Sequence, residues 1–395
     1  MKKTGSLSMV LCLLWAFSLF MIAGSLMIVP SASAETLKIG LITSITGPMA
    51  PAFKPQYDAA KPTEELMNQR GGVTVKGKRY DIKIIVEDDQ SSPPGAVAAA
   101  NKLIQDGVKF LIAPMFMVSD LAIAPITEEA KVFRMKPFGL GPEEVNPDIH
   151  YGFYSCSSLY NIEPSFDYLT KTYPKAKRIA IIMPDDPGAK TARDMNEKEI
   201  KKRGLELVFV EAFKIGTEDY YPILTKALEK KPDAIDLVVS IVPWSVGMIN
   251  QSRELGFNGP VFSPGLFGDI NLVNGMINKK YANDLFDGGP NVLSDKMLPI
   301  VKDLRKLVDK TKTPFLLDSI LNIDSLYPML QCIEKAQSLN VEEVAAAIND
   351  MEGIDTIWGK GVWGGKEIFG VNHVIKRPNT ISRIVNGKVE CDFVQ

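Results

Sequence analysis

Short apolar runs alternate with longer amphipathic stretches along nearly the whole of this chain, and few folds accept such a pattern. Residues 37–43, 81–86, 108–113, 132–135, 178–183, 205–213, 235–242 and 260–263 read as strands. Helical periodicity separates them, at about 56–69, 94–105, 162–173, 190–203, 222–230 and 245–255. Near-continuous apolar strands need cover on both faces. The alternation therefore predicts an α/β chain built from doubly wound, Rossmann-like parallel sheets with helices on either side.

The last third departs from this rhythm. Residues 316–338 carry one long helical pattern, and Asn340 followed by Glu343 has the spacing of a capping box at the start of another helix. Asn386-Gly387 between two short alternating runs predicts a hairpin over 380–393. There is no tandem repeat and no low-complexity linker.

The amino terminus reads as an export signal. Lys2 and Lys3 precede an apolar run from Leu7 to Pro30, which closes on Ser31-Ala32-Ser33-Ala34, an A-x-A type cleavage site. The expectation is cleavage after Ala34 and release into a bacterial periplasm. Leu11 before Cys12 is too large for a lipid-anchor site. Without Lys2 and Lys3 the chain has 43 basic against 47 acidic residues, a mild net charge of −4 that speaks against nucleic acid and anionic membrane surfaces as partners. The remaining 361 residues exceed one comfortable core, so two lobes are expected. Cys156, Cys332 and Cys391 allow one disulfide at most, and their spacing does not choose among the pairings.

Catalytic material is scarce. His150 and His373 are far apart, with no Cys or acidic residue at metal spacing, so neither a metal nor a cofactor is expected. No G-x-S-x-G or H-E-x-x-H motif occurs. Gly72-Val73-Thr74-Val75-Lys76-Gly77-Lys78-Arg79 approaches a phosphate-cradling loop, but Arg79 replaces the magnesium-binding hydroxyl and the order helix–turn–strand is wrong; it reads as a basic surface turn. Gly139-Leu140-Gly141-Pro142 lacks the third glycine of a dinucleotide loop. Asp185 and Asp186 read as caps for the next helix. The expectation is a protein that is not an enzyme.

In doubly wound sheets, ligands sit beyond the carboxyl ends of the strands, where strand order reverses. Residues 43–53, 114–120, 136–142, 184–190, 243–247 and 264–269 occupy such ends. One of them is unusual: after Pro114 stops a strand, Met115, Phe116, Met117 and Val118 continue the apolar run where a polar loop is normal.

Four segments in order resemble the type I periplasmic solute-binding proteins of ABC transporters, the leucine/isoleucine/valine-binding group. They are LKIGLITSITGPMA, YDIKIIVEDDQSSPPGAVAAANKLIQDGVKFLIAP, RIAIIMPDDPGAKTARD and EDYYPILTKALEKKPDAIDLVV. The resemblance covers essentially the whole chain after residue 34. It implies two lobes joined by three crossings, a ligand cleft between them that closes by hinge motion, and a membrane permease as partner of a monomer. It places crossings near Tyr154, Asp287 and Gly361, giving one lobe from 35–154 plus 288–361 and another from 155–287 plus 362–395.

Against the amino-acid-binding members, the departures fall on the ligand. Their carboxylate-binding hydroxyl residues align here with Phe116, Met117 and Val118, with only Ser119 keeping a hydroxyl, and Gly139-Leu140 replaces an Ala-Thr pair. The family's ammonium-binding glutamate falls near Gly265. An unpartnered buried charge costs roughly 3–5 kcal/mol, so this lining disfavours a zwitterion. The apolar candidates for ligand contact are Phe53, Met115, Phe116, Met117, Phe138, Leu140, Trp244 and Phe267. The polar candidates are Ser44, Thr46, Ser119, Lys136, Tyr160, Asn161 and Ser245, with Lys136 placed to pair with a carboxylate. The expected ligand is small and mainly apolar, an aromatic or branched aliphatic acid. Branched-chain amino acid binding proper, a sensor that presents its ligand to a membrane receptor, and a secreted hydrolase using His150 remain the alternatives.

Overall fold

The computed structural model describes residues 35–139, 141–265 and 268–394. The expected signal, residues 1–34, lies outside them, as do Leu140 and Phe267. Two sheets organise the chain. The first takes β1 (Glu35–Thr43), β2 (Val73–Val75), β3 (Lys78–Asp88), β4 (Phe110–Ile112), β5 (Phe133–Lys136) and β6 (Gly152–Tyr154). The second takes β7 (Arg178–Pro184), β8 (Glu206–Phe213), β9 (Ala234–Leu237), β10 (Val261–Ser263) and β11 (Leu285–Asp287). The chain then returns to the first for β12 (Ile354–Thr356), β13 (Gly359–Gly364) and β14 (Val374–Lys376), and ends in the second with β15 (Asn379–Val385) and β16 (Lys388–Val394).

The strand orders are β12-β13-β14-β6-β5-β4-β1-β3-β2 and β16-β15-β11-β10-β9-β7-β8. Order reverses beside β1 in one sheet and beside β7 in the other, where β1 lies parallel to β4 and β7 parallel to β9. In doubly wound sheets, such switch points are where ligands sit. The central strands are apolar because both faces are covered. Ile39, Leu41, Phe110, Ile112, Phe133 and Met135 are all buried. Helix Pro299–Lys310 shows how the cover forms: Pro299 suits the first turn, and Ile300, Val301, Leu304, Leu307 and Val308 make one buried stripe at helical spacing. Each such side chain contributes about 1.5–3 kcal/mol by leaving water.

The chain changes sheet after Tyr154, after Asp287 and at Arg377-Pro378. The division expected at Gly361 is therefore corrected. Val362 pairs with Lys376 and Val374 with Tyr154, so residues 362–376 belong to the first sheet. A glycine-rich run that reads as a connector is a close-packed strand: a Cβ on Gly361 would meet the Lys376 carbonyl oxygen at 2.8 Å.

Two more boundaries move. Helix Ala50–Asp58 begins well before the expected residue 56 and breaks at Ala59 before helix Ala60–Gln69. Pro48, Pro51 and Pro55 obscure its periodicity, although proline in a first turn suits a helix. The strand expected over 235–242 ends at Leu237, and Val242 opens helix Val242–Glu254 with Pro243 in its first turn. Between them Val239 sits at φ 50°, a strained conformation for a β-branched residue at the carboxyl end of β9. The carboxy-terminal hairpin turns at Asn386 and Gly387, both with positive φ, as a two-residue turn requires. Lys76 and Gly77 make the same kind of turn between β2 and β3. Asp186 and Asn340 cap their helices through backbone amides of Ala189, and of Glu342 and Glu343.

Candidate ligand-binding site

A cavity of about 590 Å³ opens at the carboxyl ends of both sheets. The first lobe contributes Met49 and Phe53 from the segment after β1, Met115 and Phe116 after β4, and Phe138 after β5. The second contributes Ile241 and Val242 after β9, and Leu272 and Met276 from helix Ile270–Met276. Cys156, Tyr160, Gly288 and Arg377, from the three crossings, also border it. This explains the apolar loop after β4: Met115 and Phe116 face the cavity, and the Phe116 ring meets Phe53 edge-on at 5.2 Å.

The fifteen residues expected at the ligand separate in space. Phe53, Met115, Phe116, Phe138, Tyr160 and Asn161 border the cavity. Ser44, Thr46, Met117, Ser119, Lys136, Trp244 and Ser245 do not, and Leu140 and Phe267 lie outside the described residues. The displaced residues have other work. Ser44 donates to Asp89 at 2.6 Å and Thr46 to Asp88 at 2.6 Å, so these hydroxyls brace the loop after β1 against the end of β3. Burial works against ionisation of Asp88, but hydrogen bonds from Thr46, Gln90 and Ile45 hold its carboxyl below the usual range. Met117 opens helix Met117–Glu129 and is buried, while Val118 is 55% exposed. Ser119 is buried on that helix. Trp244 packs edge-on against Phe213 at 5.3 Å.

Lys136 is the consequential correction. Its ammonium is buried inside the first lobe, paired with buried Glu144, and does not border the cavity, so it is out of reach of a ligand carboxylate there. Beside it, Arg134 binds Asp120 at 2.6 Å, and the Tyr154 hydroxyl donates to Asp120 at 3.0 Å. This polar network underlies the apolar wall rather than facing the ligand.

Among the described residues, the charges that do border the cavity are Asp269, Asp318, Asp324 and Arg377. Asp269 ends the strand-tip segment 264–269, but none of the four was singled out from the sequence. Arg377, at the third crossing, pairs with Asp324, donates to the Cys156 sulfur at 3.0 Å and lies 4.9 Å over the Trp358 ring. Asp324 also accepts from Trp358 Nε1 at 3.0 Å and from the Ser155 hydroxyl at 3.1 Å. Residues of two crossings thus meet on one carboxylate. The available signal was the apolar stretch LLDSILNIDSLYPML, in which two aspartates interrupt a buried helix pattern.

The site offers little for covalent chemistry. Neither histidine borders it. Burial pushes the Cys156 thiol up to about 11 despite Arg377, which keeps it protonated. Cys156, Cys332 and Cys391 are all free. Among the described residues no cluster of His, Cys, Asp or Glu is arranged to hold a metal ion.

A family model described as periplasmic binding protein matches residues 36–388. Leu/Ile/Val-binding protein homolog 3 of Brucella melitensis is 28% identical over 198 residues, 50% of this chain, which spans about half (52%) of that relative. Among solved structures, the branched-chain amino acid transporter substrate-binding protein LivJ of Streptococcus pneumoniae, in complex with isoleucine, matches with a TM-score of 0.72 at 18% identity, covering 91% of this chain and 99% of that one. A solute-binding protein of an ABC transporter from R. palustris, in complex with 4-hydroxybenzoate, matches with a TM-score of 0.71 at 19% identity, covering 91% and 96%.

Proposed function

The chain belongs to the periplasmic binding protein family, and we propose that it serves a branched-chain-amino-acid-type ABC importer by capturing a small, mainly apolar ligand, an aromatic or branched aliphatic acid. In this reading the signal is removed after Ala34, the monomer works in the periplasm, the lobes close on the ligand, and a membrane permease receives it unchanged. The observation that carries the reading is a cavity at both switch points whose walls are Met, Phe, Ile, Val and Leu side chains, with one cationic side chain among the described residues, Arg377, on its border. Arg377 takes the role first assigned to Lys136. Its guanidinium is preorganised by Asp324 and the Trp358 ring, and a planar fork suits a carboxylate. Further support comes from the 4-hydroxybenzoate complex of the R. palustris protein, a structure of the same fold.

The experiment is mass spectrometry of small molecules released from purified protein, followed by a thermal-shift screen of aromatic, branched aliphatic and amino acids. A ligand at a hundredfold its dissociation constant adds about 2.7 kcal/mol of stability, well within reach of such a screen. Tight binding of leucine with no response to the aromatic and aliphatic acids would overturn the apolar-acid reading.

A further inference from the structure

We infer that Asp318 reads a hydrogen-bond donor, a hydroxyl or an amine, at the end of the ligand opposite its carboxylate. This rests on the apolar-acid reading and deepens it.

The four charged side chains at the cavity are not equivalent. Asp269 is saturated by the amides of Asn271, Leu272 and Leu317. Asp324 is occupied by Arg377, Trp358 and Ser155. Asp318 borders the same cavity, and among the described residues its carboxylate accepts nothing beyond its own backbone amide. It is half-buried at the cavity, with the Asp269 charge beside it. Burial first, and then Asp269, raise its carboxyl to about 7. A carboxylate left without donors beside an apolar wall is costly, and a ligand donor removes that cost.

The helix supplies a ruler. Asp318 lies in the 3₁₀ turn Leu317–Ile320, and Asp324, which holds Arg377, is on the helix Leu321–Ala336 that follows. At 1.5–2.0 Å rise per residue, their separation along the axis is roughly 10 Å. The ammonium of an α-amino acid sits too close to its own carboxylate to reach both ends. A para-substituted ring bearing an acid at one end and a donor at the other spans them. The Asp269 charge also repels a carboxylate, which directs the acid end toward Arg377.

The test is calorimetric titration of the full chain, released from its signal, with matched pairs: benzoate and 4-hydroxybenzoate, phenylacetate and 4-hydroxyphenylacetate. A site that pairs a ligand donor discriminates strongly against the analogue lacking it, so the wild-type protein is expected to favour each hydroxylated acid by about tenfold or more. Asp318→Ala, checked for folding by circular dichroism, is expected to bring each pair within about twofold, with Asp318→Asn between the two. Equal affinities in the wild type, or a preference that survives Asp318→Ala, overturn the role of Asp318 and leave the ligand class standing. If neither member of any pair binds the wild type, the ligand class falls and the inference falls with it.

Discussion

Asp269 ties the second lobe to the first through the backbone of Leu317. One carboxylate oxygen caps helix Ile270–Met276, accepting the amides of Asn271 and Leu272 at 2.8 and 3.3 Å. The other accepts the Leu317 amide at 2.7 Å, from the segment that leads into the long helix of the first lobe. The contact lies at the cavity edge, where the proposed closure and opening of the lobes would make and break it.

That bond can be removed without touching Asp269. Leu317 is the first residue of its 3₁₀ turn and Leu316 before it is extended (φ −120°, ψ 175°), a conformation that tolerates a following proline. Leu317→Pro should lower unfolding stability by about 1.5–3 kcal/mol, the value of a hydrogen bond to a charged group, and shift the ligand-free protein toward a more open form. Urea denaturation and small-angle scattering measure the two effects. An unchanged midpoint and an unchanged radius of gyration would refute the tie.

Arg377 and Asp324 form a nearly buried pair on which residues of two crossings converge. Arg377→Ala strands Asp324 and should cost about 3–5 kcal/mol in chemical denaturation. Arg377→Lys keeps the charge but loses the fork and the stacking on Trp358, so ligand affinity should fall more than stability does.

Lys136 gives the opposite split. Lys136→Met removes the ammonium from beside the buried Glu144 carboxylate and should destabilise by about 3–5 kcal/mol, whereas Lys136→Met with Glu144→Leu should recover most of the loss. Both variants should bind the ligand with wild-type affinity, measured below their unfolding temperature. A selective loss of affinity would return Lys136 to the binding site.

The carboxyl of Asp318 makes stability pH-dependent in a defined direction. Burial and then Asp269 raise it to about 7 in the folded chain, against about 3.9 when unfolded. A raised carboxyl means the folded state holds its proton more tightly. The contribution is therefore complete below about pH 4 and declines as pH rises through about 7. Melting temperatures of the ligand-free protein should fall from pH 5 to pH 8, and Asp318→Asn should flatten that fall and melt higher than wild type at pH 8. A steeper fall in the variant would reverse the assignment.

Phe116 carries apolar contact with little structural duty. It is half-buried at the cavity and touches Phe53. Phe116→Ala should cost about 0.5–1.5 kcal/mol from the lost aromatic pair and weaken ligand binding by about tenfold through lost apolar area, as read by calorimetry.

Local chemistry determined the architecture of this protein. Periodicity of two against 3.6 separates strands from helices, Asn386-Gly387 dictates a tight turn, and Asn340 caps a helix, whatever surrounds them. Apolar strands alternating with helices force covered sheets, and covered sheets place a cavity at the strand tips. Phe53, Phe116 and Phe138 were legible for that reason, because each closely follows a strand or its loop. Which charge borders the cavity was decided by tertiary structure alone. Lys136 ends a strand as a ligand-binding residue would, yet Glu144, eight residues on, folds back to neutralise it. Asp318, Asp324 and Arg377 come from the last fifth of the chain and acquire meaning only when two crossings bring them beside loops encoded far upstream. Side-chain spacing along one segment specifies a helix or a strand, but a pair of charges is chosen by proximity in space, and no local pattern records that.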